Sequence, residues 1–315
     1  MNSHRLELSL VNEAAAKIDP VFLYSPQFIH EPLSKLLGCT LILKIEVVNP
    51  IRCFKGRGAD FLVTKSQEQE LVCASAGNFG QAMAFACRKA KKKFFVFASV
   101  NANPLKIERM KELGAEVILI GNDFDAAKEE ARHFAVKNNL RFVEDGLDIE
   151  TLCGAATIGL ELTNEFKKLD AVLVPLGNGA LLNGVARVVK EKNPAANLVA
   201  VQASGAPAMI ESWKTNTLVQ HDAIQTIADG IGVRVPIAQA LKDMNGWVDE
   251  GLLVSENSIL QAIKLLHRQT GLVVEPSGAV GIAALLENKE KFKDQMVATI
   301  LCGGNMTETQ MHEWL

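Results

Sequence analysis

The sequence predicts an α/β fold of mainly parallel, open sheets flanked by helices. From about residue 70 onward, short apolar runs rich in Val, Ile and Phe alternate with segments of helical period. Strand–helix alternation at this spacing builds parallel sheets joined by crossover helices. Glycine-rich turns recur where an apolar run gives way to a helix, which is where such sheets place ligands. A chain of 315 residues is long for one compact core and fits two lobes of ordinary size.

The elements follow in chain order. Residues 71–74 read as a strand, followed by Gly77 and a helix through Ala90. A strand at 94–99 precedes a helix at 104–113, which Gly114 ends as a C-cap. Residues 116–120 form a strand, 125–137 a helix and 141–143 a short strand. The alternation resumes with a helix at 155–166, a strand at 171–175, a helix at 181–192, a strand at 198–202 and a helix after Pro207. Helices at 257–269 and 278–286, a buried strand at 297–302 and a helix at 307–314 complete the chain.

Composition excludes several classes. With 48% hydrophobic and 22% charged residues the chain has the balance of a folded protein, not a disordered one. A net charge of -3 gives no electrostatic basis for binding nucleic acid or an anionic membrane. No apolar run approaches the length of a membrane span. The first ten residues alternate polar and apolar types and carry no signal-peptide core, so the cytoplasm is the expected compartment. The six cysteines form no CxxC pair or other metal-ligand spacing and read as small core residues. Lys91, Lys92 and Lys93 form a basic run between a helix and a strand, a solvated turn.

Four strand-end turns carry unusual residues. In Asn49-Pro50-Ile51-Arg52-Cys53-Phe54-Lys55-Gly56-Arg57-Gly58, a lysine sits between an aromatic ring and two glycines. A lysine amine among apolar groups and cations gives up its proton more readily and serves as a nucleophile. Ser75-Ala76-Gly77-Asn78-Phe79 opens a helix, whose N–H groups favour a carboxylate or phosphate. Pro175-Leu176-Gly177-Asn178-Gly179-Ala180-Leu181 suits a phosphate cradle. As a dinucleotide fingerprint it is poor, because its third glycine falls at Leu182 and no ribose carboxylate follows Val201-Gln202-Ala203. Cys302-Gly303-Gly304-Asn305 places a thiol at the end of the last strand. Together, a nucleophilic lysine, a phosphate loop and a carboxylate-binding turn describe a pyridoxal 5'-phosphate (PLP) site that handles an amino acid.

These motifs resemble the fold-type II PLP enzymes, specifically the serine/threonine dehydratase (ammonia-lyase) family, from about Lys44 to Asn305. Lys44-Ile45-Glu46 with Phe54-Lys55-Gly56-Arg57-Gly58-Ala59 is similar to the family's lysine motif, and Ser75-Ala76-Gly77-Asn78 to its substrate loop. Leu113-Gly114-Ala115-Glu116-Val117, Thr157-Ile158-Gly159-Leu160-Glu161, Ile227-Ala228-Asp229-Gly230-Ile231 and Val274-Glu275-Pro276-Ser277-Gly278-Ala279 extend the likeness. The resemblance implies a two-lobed, tryptophan synthase β-like fold. Residues 1–66 and 145–315 would form the large PLP-binding lobe, with a small α/β lobe, 67–144, inserted. It implies that Lys55 holds PLP, that Phe54 stacks beside the ring and that Asn78 hydrogen-bonds the ring hydroxyl. Gly177, Asn178, Gly179, Ala180 and Leu181 would hold the phosphate and Cys302 would face the pyridine nitrogen, with Glu275 and Gly303 completing the cofactor site. Ser75, Ala76, Gly77, Asn78 and Phe79 would grip the substrate carboxylate. The implied reaction is β-elimination on L-serine, L-threonine or a related hydroxy amino acid, started by Lys55 as base and giving a 2-oxo acid and ammonia. A homodimer is the assembly the family suggests.

The chain departs from the family pattern at several positions. Phe79 replaces a frequent histidine, and Asn178 and Ala180 replace two glycines of the phosphate loop; Asn178 is similar to the threonine synthases. A β- or γ-replacement enzyme is therefore the alternative reaction, and a non-catalytic ligand-binding homologue the alternative class. Ala76 stands where the family's racemases carry the serine that acts as acid and base, which argues against racemisation. Gln202-Ala203 replaces a Glu-Pro pair that helps bind a divalent cation in many relatives, so no such metal site is expected. Cys302 is similar to the animal-type serine dehydratases.

Overall fold

The computed structural model describes residues 4–315; residues 1–3, part of the amino-terminal stretch and of the implied large lobe, lie outside the described residues. The first part of the chain runs α1 (Leu8–Lys17), β1 (Gln27–Ile29), α2 (Glu31–Leu37), β2 (Thr40–Ile45), α3 (Lys55–Lys65), β3 (Glu70–Ala74) and α4 (Asn78–Lys89). There follow β4 (Lys93–Ala98), α5 (Pro104–Glu112), β5 (Glu116–Leu119), α6 (Phe124–Lys137), β6 (Arg141–Phe142), α7 (Ile149–Glu165), β7 (Ala171–Pro175) and α8 (Ala180–Lys192). The chain ends with β8 (Asn197–Ala203), α9 (Ala208–Thr215), α10 (Ala238–Met244), β9 (Glu250–Val254), α11 (Glu256–Thr270), α12 (Pro276–Glu287), β10 (Met296–Leu301) and α13 (Glu308–Trp314).

The strands form two sheets, one of six in the order β1-β2-β10-β7-β8-β9 and one of four in the order β5-β4-β3-β6. Every pairing is parallel except that of β1 with β2 at the edge of the larger sheet. Parallel strands buried on both faces read as continuous apolar runs, and β7 is buried throughout. Its side chains alternate: Val172 and Val174 join Ile158, Leu162 and Val185 on one side. Leu173 joins Ile263, Ile282 and Leu285 of α11 and α12 on the other. The smaller sheet repeats the arrangement. Leu71, Cys73, Phe94 and Val96 face Ala82, Met83 and Ala86 of α4. Val72, Phe95 and Phe97 face Ala131 and Ala135 of α6.

Helix α7 ties the two cores together, giving Leu152, Cys153 and Ala156 to one and Ala155, Ile158 and Leu162 to the other. It crosses α3 at backbone contact. A Cβ on Gly154 would lie 2.3 Å from the Gly58 nitrogen, and one on Gly58 would lie 2.9 Å from the Thr151 Cα. Only paired glycines allow so close a crossing.

The structure differs from the sequence expectations mainly at the amino end. Elements α1, β1, α2, β2 and α3 are all present there, although no regular periodicity marks them. The sequence of α3, KGRGADFLVTK, has two glycines and three charges in its first six residues, a poor helix by propensity. It is held by tertiary burial, with eight consecutive residues from Gly56 to Val63 buried. Helix α7 starts at Ile149, six residues before the expected 155, because Gly154 masks the apolar period. Helix α10 and strand β9 have no counterpart among the expected elements. Helix α5 is close to expectation, with Asn103 capping its start and Gly114 just beyond its end at φ +90°. All six cysteines are free and buried.

Candidate active site

The carboxyl ends of β3, β7 and β10 and the amino ends of α3, α4, α8 and α12 meet around one cavity of about 970 Å³. The sequence-predicted residues Phe54, Lys55, Ser75, Ala76, Gly77, Asn78 and Phe79 line it, as do Gly177, Asn178, Gly179, Ala180, Leu181, Glu275 and Cys302. Gly303 is the exception. Its backbone pairs with Cys53 and accepts from the Glu275 N–H at 2.9 Å. Its missing side chain makes room for Glu275, since a Cβ would lie 2.1 Å from Oε1.

Lys55 opens α3 with its ammonium 4.7 Å from the centre of the Phe54 ring. Its partner is not among the expected apolar groups and cations. It is Asp145, just after β6, which accepts a hydrogen bond from Nζ through Oδ2. The other oxygen, Oδ1, is buried with no hydrogen-bond partner. No sequence motif marks Asp145, and only the approach of β6 to α3 reveals it. The following residue, Gly146, has φ +83°, and a Cβ there would lie 2.3 Å from the Asn178 carbonyl oxygen. A glycine is thus required where this turn meets the phosphate loop.

Asn78 is held at both ends of its amide. Its Nδ2 donates to Glu275 Oε1 at 2.7 Å, and its Oδ1 accepts from Asn305 Nδ2 at 2.9 Å. Asn305 donates from its backbone N–H to Glu275 Oε2 at 3.1 Å and accepts from Arg109 at 3.2 Å. Burial pushes the Glu275 carboxyl up to about 7, reinforced by the charge of Asp229; Lys106 and the hydrogen bonds from Asn78 and Asn305 oppose the shift. Lys106 is ion-paired with Asp229 across the cavity. Asn305, Arg109, Lys106 and Asp229 lie in or beside motifs visible in the sequence, but nothing local identifies them as partners.

Ser75 spends its hydroxyl on the turn, accepting from Gly77 N–H at 3.2 Å and Gly80 N–H at 2.9 Å. Gly179, at φ +94°, precedes α8 and offers no side-chain cap, which leaves the first N–H groups of that helix for an outside acceptor. Cys302 lies at the end of β10, with Sγ 3.6 Å from the Ser277 carbonyl oxygen. Burial, then the nearby Glu275 carboxylate, pushes its thiol up, so it stays protonated.

Beneath Lys55 lies a buried charge network. Arg57, in the same first turn of α3, donates to Glu46 through Nε at 2.9 Å and Nη2 at 2.8 Å, and to Thr157 at 2.9 Å. Glu161 pairs with both Arg57 and Lys44. Lys44, Glu46 and Arg57 are fully buried.

A lysine amine at the mouth of a helix, an uncapped helix start and a protonated thiol around one cavity define a two-sheet α/β enzyme built to hold an anionic aldehyde cofactor. The matching family model, pyridoxal-phosphate dependent enzyme, spans residues 24–303, and the chain belongs to this family, within its serine/threonine dehydratase group of lyases. It is similar to an L-threonine ammonia-lyase of Thermotoga maritima, 36% identical over 278 residues, covering 87% of this chain and 69% of that one. It is 31% identical to a catabolic L-threonine dehydratase of Staphylococcus aureus, covering 98% and 92% respectively. A threonine deaminase isoform of Solanum lycopersicum superposes with a TM-score of 0.89 at 28% identity, covering 97% of this chain and 86% of that one. PLP is the cofactor. The residues fit it: the amine of Lys55 and the capless start of α8 supply the two groups that an aldehyde and a phosphate need.

Proposed function

We propose that the protein is an ammonia-lyase that performs β-elimination on L-serine, L-threonine or a related hydroxy amino acid, releasing a 2-oxo acid and ammonia. The observation that carries this reading is the Lys55 amine beside Phe54, in the same cavity as the uncapped start of α8. The relatives named above, threonine ammonia-lyase and dehydratase, support the same chemistry.

PLP, when bound, supplies the electron sink for the bond broken at Cα. In this reading residues 177–181 hold its phosphate through backbone N–H groups, and Lys55 holds it through Nζ. With its amine free, Lys55 would accept the Cα proton at Nζ. Residues 75–79 hold the substrate carboxylate at the start of α4. Asn78 presents a fixed N–H, because Glu275 and Asn305 lock its amide. Cys302 remains a neutral thiol and would place no anion beside the cofactor ring, which would leave the ring a weaker sink. That favours quick loss of a β leaving group. Ala76 carries no proton-active group, which leaves Lys55 without an acid–base partner for racemisation.

In the same reading residues 67–144 form the small lobe and 1–66 with 145–315 the large one. We also propose a homodimer in the cytoplasm. Exposed Tyr24, Phe28 and Ile29 on and beside edge strand β1 support a subunit contact. Six free buried thiols suit a reducing compartment. No helix among the described residues is long and apolar enough to cross a membrane.

The purified protein is expected to be yellow, to be bleached by borohydride, and to release ammonia and oxo acid from serine or threonine. Lys55→Ala is expected to abolish release. A colourless protein that PLP cannot reconstitute, or a Lys55→Ala enzyme at the native rate, refutes the reading.

A further inference from the structure

We propose that Arg5 is a positioning residue for the cofactor: it clamps together two segments that back the loop 177–181 and so sets the grip of that loop on the PLP phosphate. The proposal rests on the reading above that residues 177–181 hold the phosphate. Arg5 itself is not part of the cavity wall, and neither are His4 and Leu6 beside it.

The loop carries no lysine or arginine, and no side chain caps the helix it opens. Its hold on a phosphate therefore depends on where its backbone N–H groups point. Two neighbours press on that backbone. The first is the turn after β6, where Gly146 comes so close that a Cβ would lie 2.3 Å from the Asn178 carbonyl oxygen. The second is α10. A Cβ on Gly179 would lie 3.0 Å from the Ala240 Cβ, and the Ala240 carbonyl accepts from Asn183 of α8 at 3.0 Å.

Arg5 joins these two neighbours. Its Nη1 donates to the Leu147 carbonyl at 2.6 Å and its Nη2 to the Gly146 carbonyl at 3.0 Å, while Nε donates to Asp243 Oδ2 on α10 at 2.7 Å. Asp243 is buried, and its other oxygen accepts from Gln239 at 2.9 Å. A guanidinium presents its donors in a rigid planar fork, so one side chain holds the turn and the helix at a fixed separation. The single nitrogen of a lysine has no such fork. Arg5 is seated in turn by its neighbours. The Leu6 side chain is fully buried, and the Leu6 carbonyl accepts from Arg187 of α8 at 3.1 Å. Arg187 lies 4.6 Å from the centre of the Trp247 ring, which His4 meets edge-on. Residues 4–6 thus brace the turn, α10 and α8, and all three bear on the same loop.

The other end of the cofactor is anchored separately. Lys55 is fixed through Arg57, which Glu46 grips, and through Gly58, which rests on α7. Arg5 touches neither. The turn also keeps a bond of its own, from the Gly146 N–H to Thr151 at 3.2 Å. Removing the fork therefore loosens the loop without dismantling it, and the loss falls on the phosphate rather than on the aldehyde.

The test titrates the full chain, freed of cofactor, with PLP and with pyridoxal, which keeps the aldehyde and lacks the phosphate. The absorbance of the imine at Lys55 gives a dissociation constant for each. Each ligand is compared with itself between the wild type and Arg5→Met, which keeps an apolar stem and removes the fork. PLP is expected to bind the variant about tenfold more weakly, the scale of one charge-assisted hydrogen bond, and pyridoxal to bind both proteins equally. Arg5→Lys, which keeps a cation beside Asp243, is expected to recover only part of the loss. If urea unfolding shows that Arg5→Met does not fold, Arg5→Lys replaces it, with a smaller loss again confined to PLP. An unchanged PLP affinity overturns the proposal. So does an equal loss for both ligands, which is what general loosening of the fold would give, and so does full recovery in Arg5→Lys. A wild type that binds pyridoxal as tightly as PLP removes the phosphate role of residues 177–181 and the proposal with it. A wild type that prefers PLP and eliminates from serine or threonine, with that preference undiminished in Arg5→Met, overturns the role of Arg5 alone and leaves the ammonia-lyase reading intact.

Discussion

Glu275→Gln tests whether the carboxylate that locks Asn78 is held near neutrality by its burial. In the folded protein Glu275 titrates at about 7, against 4.5 for a solvated glutamate. Between those two pH values the folded state binds a proton that the unfolded state has released. This contribution therefore falls as pH rises from 4.5 and is fully lost above 7. The gap is worth about 3 kcal/mol at roughly 1.4 kcal/mol per pH unit. The glutamine variant has nothing to titrate there, so relative to wild type it should gain about 3 kcal/mol between pH 4.5 and pH 8. At the acid end the variant is expected to be less stable by about 1 kcal/mol, because its amide N–H₂ meets a donor, either Asn78 Nδ2 or the Asn305 N–H. The two stability curves should therefore cross. Urea unfolding of cofactor-free protein at half-unit pH steps measures both. Parallel curves, with a difference constant across the range, would refute the argument that burial dominates at Glu275.

Two further perturbations probe the frame that carries the site. Gly154→Ala should destabilise the protein by about 2 kcal/mol or more in calorimetry despite the better helix propensity of alanine, because the new Cβ would lie 2.3 Å from the Gly58 nitrogen; an unchanged melting temperature counts against the close crossing of α3 and α7. Arg57→Met should cost about 3–5 kcal/mol in urea unfolding, since Glu46 and Glu161 lose their shared partner and Lys44 can balance only one of them; a loss below about 1 kcal/mol would show that the network is dispensable.

Much of the fold is legible where one physical signal dominates. Strands β3, β4, β7, β8 and β10 announce themselves as apolar runs, because parallel strands are buried on both faces. The loop 177–181 is legible because glycines between a strand end and a helix start leave the backbone open to a ligand. Legibility fails where tertiary burial overrides local preference. Lysine and arginine are seldom fully buried, yet Lys44 and Arg57 both are, since Glu161, far along the chain, pairs with each of them. Helix α3 escapes sequence reasoning for the same reason. Asp145 is invisible because nothing in Glu144-Asp145-Gly146, just past the expected strand at 141–143, sets one carboxylate apart from the other. Its partner lies 90 positions away, and no spacing rule connects the two. Lys55 itself is recognisable only in the company of the other turns.

The placement of Lys55 follows from these less legible features. The residue stands at the first position of a helix with weak propensity, where fraying is normally worst. Two residues on, Arg57 is gripped in bidentate fashion by Glu46, just after β2, and by Glu161 on α7. One residue further, Gly58 rests on the backbone of α7. The helix start is thus fixed from below by charge and from the side by backbone contact, and neither constraint uses the cavity. A site so supported can lose and regain its bond at Nζ without moving its anchor, which is what a residue that both holds a cofactor and works as a base requires. The buried charges are costly as stability devices. Their position under Lys55 gives them a physical use in holding that residue in place through both tasks.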